Sequence, residues 1–232
     1  MKYWLLFTFL VCLSIPSNQL SAQENFRIEA SFSAKEKTPT GKSKLTVGNV
    51  YFDKNDNKIV YDVRFPDAAT LVVTDSIQYI VKGDSAVAQS IPSLNQLSIF
   101  SLALKGDLDN FGLEQLKYEI IEVEKSEDMV ITTWLPPADF QKNYGKIALS
   151  QKNRNLYGVV FFAPDGSVIG KQIFRNYTTV NGVSFPQEVI QITIVKEVEF
   201  YKITTFSEVK VNNLEKDDMY QYNTEQLNLK NK

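Results

Sequence analysis

Short runs in which apolar and polar residues alternate, each closed by turn residues, constrain this chain more than anything else in it. Period two is the repeat of a half-buried β-strand. Ile59, Tyr61, Val63 and Phe65 alternate with Val60, Asp62 and Arg64 as far as Pro66. Residues 71–74 and 77–81 flank Asp75-Ser76, and residues 129–134 stop at Pro136-Pro137. Residues 157–162 are apolar on both faces and meet Pro164-Asp165-Gly166, where glycine suits the left-handed position of a turn. Asn181-Gly182, between residues 177–180 and 183–185, is the strongest short hairpin signal in the chain. Residues 189–195 and 198–206 complete a series of ten or eleven expected strands. Strands at such short spacing predict one large antiparallel sheet, heavily curved or partly closed.

One segment breaks the alternation. Ser93-Leu94-Asn95-Gln96 fits a capping box, Pro92 precedes it and Gly106 ends the run, so a helix is expected over residues 94–105. Its interior (Leu97, Ile99, Phe100, Leu102, Ala103, Leu104) is apolar nearly all round. Such a helix is enclosed, or faces something apolar that is not always there. A second short helix is expected over 111–117, capped by Asp109, and a further helical turn between Pro137 and Gly145.

Residues 1–22 have the layout of a secretory signal peptide. Lys2 is followed by an apolar stretch of about a dozen residues, too short for the roughly 20 that span a bilayer, and Leu20-Ser21-Ala22 closes it. Cleavage after Ala22 removes Cys12, the chain's one cysteine, so the exported protein is expected to rely on its core rather than on disulfides. A periplasm suits that economy. Residues 214–232 are polar and charged and read as a loosely attached tail. The expected organisation is a signal peptide at 1–22, one domain at 23–213 and the tail at 214–232.

The chain's 232 residues contain no histidine, which excludes His-based triads and HExxH zinc sites. Its formal charge of −2 removes the electrostatic footprint of a nucleic-acid binder. The acidic pairs, such as Glu122 and Glu124 on one strand face, read as solvated surface rather than as a glycosidase pair. The run from Asp53 to Asn57 has oxygens at alternate positions but lacks the glycine and distal glutamate of a calcium loop. No catalytic residue, metal or cofactor is assigned, and the chain is not expected to be an enzyme.

The order of elements carries a resemblance. Phe26-Arg27-Ile28-Glu29-Ala30-Ser31-Phe32 opens the chain, a strand centred on Gly48 follows, and the next strand ends in Phe65-Pro66. Leu71-Val72-Val73-Thr74-Asp75-Ser76 and Tyr79 come next, then the apolar helix and a hairpin meander. Over residues 25–212 this resembles the LolA-type periplasmic carriers and the wider outer-membrane lipoprotein-sorting superfamily. The resemblance implies a mainly β (α+β) domain. A single highly curved antiparallel sheet would form a half-open β-barrel, with a helical plug or lid over its concave face. It also implies a monomeric periplasmic carrier of lipidated proteins or other lipid cargo, working between an inner-membrane donor complex and an outer-membrane acceptor. A stress-sensing regulator shares the scaffold, so a lipid- or lipoprotein-sensing module without transport stays open. On this view Phe52, Tyr61, Val63, Phe65, Val73, Tyr79, Trp134, Phe161 and Phe174 line the acyl-chain cavity. Leu97, Ile99, Phe100 and Leu104 belong to the lid. The family's Arg-Pro latch has no counterpart between Asp53 and Lys58, where Lys54 or Lys58 is the remaining candidate to hold lid carbonyls.

Overall fold

The computed structural model describes residues 26–38, 40–56, 58–74, 77–83, 85–90, 113–114, 116–223 and 228–229. The strands are β1 (Arg27–Lys37), β2 (Ser43–Asp53), β3 (Lys58–Phe65), β4 (Ala69–Val73), β5 (Gln78–Lys82), β6 (Ser85–Ser90) and β7 (Glu119–Ser126). They continue with β8 (Met129–Leu135), β9 (Ile147–Lys152), β10 (Asn155–Phe162), β11 (Val168–Val180), β12 (Val183–Val195), β13 (Val198–Val211) and β14 (Asn228–Leu229). One four-residue helix, α1 (Asp217–Tyr220), lies near the end.

All fourteen strands form one sheet, in the order β14-β6-β5-β4-β3-β2-β1-β13-β12-β11-β10-β9-β8-β7. Two meanders, β2–β6 and β7–β13, meet at β1, which pairs antiparallel with both β2 and β13. Only the short β14–β6 pairing is parallel. The sheet is a curved, open barrel with edges at β7 and β14. It has more strands than the alternation foretold. β7 was harder to see because every one of its residues is exposed, so it carries no apolar face.

The expected turns are present. Asn181 and Gly182 have φ of 49° and 80° between the paired residues Val180 and Val183. At Gly48 the two strands come too close for a side chain, since an added Cβ would lie 2.1 Å from the Asp62 carbonyl oxygen. The register of β2 against β3 shifts there, a bulge that only glycine permits. A 3-10 turn, Ala138–Phe140, follows the proline pair as expected. The expected helix over 111–117 is corrected in its described part: residues 113–114 and 116–117 form turns, and Lys117 has φ of 59°. The expected signal peptide and the helix over 94–105 lie outside the described residues.

The main core covers the inner face. Alternate residues of β1–β4 and β8–β13 meet there, among them Ile28, Phe32, Phe52, Trp134, Phe161, Phe174, Phe185 and Phe206. Leu113 and Tyr118, just before β7, join the same cluster. A second, smaller cluster lies on the opposite face of β2–β4, where Tyr51, Val60 and Val72 are buried with Tyr220 of α1.

The reading of residues 214–232 as a loose tail is corrected by that second cluster. Tyr220 is 1% exposed and stacks edge-on against Tyr51, with ring centres 5.5 Å apart. The Arg27 guanidinium lies 4.8 Å from the Tyr220 ring centre and pairs with Asp217 of α1. Its Nε donates to Asp53 at 2.7 Å, and both of those side chains are buried. Asn213 donates to Glu29 at 2.9 Å. The segment is polar in composition, yet one aromatic ring and one buried cation anchor it as a strap.

Candidate functional site

The inner face is packed differently along its width. Across β8–β11 the side chains close upon one another, and Trp134 and Phe174 are each 1% exposed. Across β1–β5, β12 and β13 they leave a cavity of about 150 Å³. Its apolar wall is Phe32, Ala34, Tyr61, Val63, Leu71, Val73, Val189 and Phe206. Its polar groups are Thr46, Gln78, Gln191, Thr204 and Lys202, the last being the one charged residue among the described lining.

Strand register explains how these residues converge. Phe32 of β1 faces Phe206 of β13 on one side and Gly48 of β2 on the other. Gly48 pairs with Val63, and Tyr61 pairs with Leu71. At Gly48, between Phe32 and Val63, the β3 backbone takes the place that a side chain would hold. The Tyr61 ring meets Phe32 edge-on at 5.5 Å, the arrangement aromatic pairs prefer. Burial pushes the Tyr61 hydroxyl well above the ordinary tyrosine range. Lys202 lies 3.6 Å from a Glu36 carboxylate oxygen, a loose pair in which each side chain is about two-fifths exposed.

Of the residues singled out from sequence, Tyr61, Val63 and Val73 are in the cavity wall. Phe52 is fully buried in the core beside Phe26. Trp134, Phe161 and Phe174 belong to the same inner core but to its packed half, away from the cavity lining. Phe65, at the end of β3, is 50% exposed. Tyr79 is turned to the outer face, because it pairs with Val72 and packs in the Tyr220 cluster. Lys58 also works on the outer side: its ammonium donates to the Tyr222 carbonyl at 3.4 Å and lies 3.8 Å from Asp56. Lys54 lies over the Phe26 ring at 5.7 Å. The lid carbonyls that these two lysines were expected to hold lie outside the described residues. Leu97, Ile99, Phe100 and Leu104 lie outside the described residues.

Sequence reading passed over Phe32, Leu71, Val189, Phe206 and all the polar lining residues. Leu71 stands two positions from Val73 and shares its face by strand period, so it was within reach. The residues of β12 and β13 became visible only through their register.

Among the described residues no three His, Cys, Asp or Glu side chains gather as a metal site. Asp53, once the first residue of a possible calcium loop, is committed to Arg27 and to the Asn55 backbone amide at 2.9 Å. Glu122 and Glu124 are exposed on the edge strand β7. No described helix is long and apolar enough to cross a membrane.

No family model matches the chain, and no curated protein matches it. Solved structures do. A LolA superfamily protein from Nitrosomonas europaea superposes with a TM-score of 0.56 at 15% identity, over 85% of this chain and 90% of that one. An outer membrane lipoprotein-sorting protein domain from Vibrio parahaemolyticus gives 0.60 at 13% identity, over 84% and 90%. A DUF1329 family protein from Desulfovibrio piger gives 0.51 at 12% identity, over 87% and 91%. Likeness at such low identity speaks for the fold, and the fold is LolA-like.

Proposed function

We propose that this LolA-like protein is a periplasmic carrier that encloses acyl chains of lipidated proteins, or of another lipid, for transfer to the outer membrane. The observation that carries the reading is the cavity on the inner face, whose wall is apolar from Phe32 to Val73. An exposed methylene costs about 0.8 kcal/mol in water. Ten of them come to about 8 kcal/mol, comparable to a micromolar dissociation constant. A soluble shuttle has to cover that surface and still release it to an acceptor. The volume is small beside the roughly 300–1,000 Å³ of ordinary ligand sites, so the cavity as it stands fits a section of one chain. A longer cargo requires the wall to yield. Binding, not catalysis, is the role proposed, with an inner-membrane donor and an outer-membrane acceptor as its partners.

Native mass spectrometry of the protein from its source periplasm tests this directly. A lipid or lipoprotein adduct is expected, together with displacement of an apolar dye by a lipopeptide. Neither adduct nor displacement would end the carrier reading. Depletion should leave lipidated proteins short of the outer membrane; a sensor's loss would change a stress response while they still arrive.

A further inference from the structure

The inner face around the cavity is graded along the strands. Side chains on one face recur every second residue, about 6.7 Å apart along a strand, so cross-strand partners form successive rows. The row at the rim is Gln191, Lys202, Glu36 and Lys44, each paired with the next across β12, β13, β1 and β2. The next row is Val189, Thr204, Ala34 and Thr46. After it come Phe206, Phe32, Gly48 and Val63, and then Ala30, Val50, Tyr61 and Leu71. Charge gives way to hydroxyls, then to aromatic rings, then to a row of aliphatic side chains with the Tyr61 ring among them. The far end, at Val73, carries one amide, Gln78, and no charged residue among the described lining.

Two details give the gradient a sign. Lys202 lines the cavity and Glu36 does not, so the cavity meets a cation whose counter-charge stands outside it. At 3.6 Å the Lys202–Glu36 pair is longer than a hydrogen bond, which leaves the ammonium donors available. Thr204 and Gln191 flank Lys202 within the lining. A purely apolar cargo has no use for that arc. We infer that the cavity takes an amphiphile with an oxyanion head, carboxylate or phosphate, seated at Lys202, with a single chain running past Phe206 and Phe32 toward Val73. This rests on the cavity being an acyl-chain site.

The test uses the full chain and ligands matched in length: palmitate, palmityl phosphate and palmityl alcohol, with inorganic phosphate as the headgroup alone, measured by calorimetry. Palmitate and palmityl phosphate should bind about tenfold more tightly than the alcohol, the scale of a hydrogen bond to a charged partner. Inorganic phosphate should not bind measurably. Lys202→Met should bring both acids to the alcohol's affinity while leaving the alcohol within twofold, Lys202→Arg should keep the preference, and Glu36→Gln should widen it. Equal affinities in the wild type, or a uniform loss for all three chains in Lys202→Met, would overturn the inference and leave the carrier reading standing. So would phosphate alone binding as well as palmityl phosphate. Failure of every chain to bind would overturn the carrier reading itself, and this inference with it.

Discussion

The two faces of β2–β4 are built from neighbouring residues and end in opposite conditions. Val60 and Val72 point outward and are fully buried beneath Tyr220, while Tyr61 and Leu71, one position along, point inward and border a cavity. The outer face is closed by a segment of the same chain through an aromatic stack and the buried Arg27–Asp53 pair. Composition does not set the difference, since both faces are apolar. Among the described residues, what sets it is a covering element on the outer side whose ring fills the space. Stability should therefore be concentrated outside, and ligand capacity inside.

Five substitutions and one titration bear on that division. The largest effect is expected from Asp53→Ala, which strips a buried guanidinium of its buried partner: a loss of about 3–5 kcal/mol by urea denaturation. Tyr220→Ala should cost about 3 kcal/mol, the usual scale for a buried aromatic, and should leave cavity binding unchanged. Leu71→Ala, on the inner face, should cost less than about 2 kcal/mol, because atoms facing a void have fewer packing partners to lose. Its effect should appear in ligand affinity. If Leu71→Ala proves as costly as Tyr220→Ala, the two faces are equally packed and the contrast fails.

Alkaline titration samples both faces at once. Burial raises the hydroxyls of Tyr61 inside and Tyr220 outside above the ordinary 10.0. The unfolded chain releases these protons near that ordinary value, while the folded one still holds them. The stability they contribute is thus complete below about pH 10 and is lost as pH rises beyond it. Tyr61→Phe and Tyr220→Phe should each flatten the decline in denaturation midpoint against pH. The smallest effect is expected for Tyr220→Phe at neutral pH. The Tyr220 hydroxyl is buried with no hydrogen-bond partner among the described residues, so its removal should change stability by less than about 1 kcal/mol and in the favourable direction.

Period two made the sheet legible, and the order of its strands made the LolA-like fold legible. Facing was harder. On β13 the more apolar alternate residues, Tyr201 and Ile203, are 40% and 39% exposed, whereas Thr204 is 9% exposed. Alternation alone turns that strand the wrong way round. Its orientation is imposed by the pairing of Phe206 with Phe32, a contact between residues far apart in the chain. The polar rim at Lys202 was hidden for the same reason. The strap was missed because its anchors are few: Arg27, Asp217 and Tyr220 sit among ordinary surface residues, and only their convergence distinguishes them. Tyr61, Val63 and Val73 were found because β3 and β4 keep a regular alternation with the apolar set inward.

The seam between β1 and β13 bears on the order in which this protein can be made. Residues 27–37 pair with residues 201–211, nearly the whole length of the chain apart, and β1 is the strand through which the two meanders join. A nascent chain that has emerged only as far as β12 holds both meanders and no partner for the far side of β1. The barrel wall, and with it the cavity lining contributed by β13, forms only after residue 211 is free. Closing so long a loop is slow. The chain therefore spends most of its synthesis without its finished form.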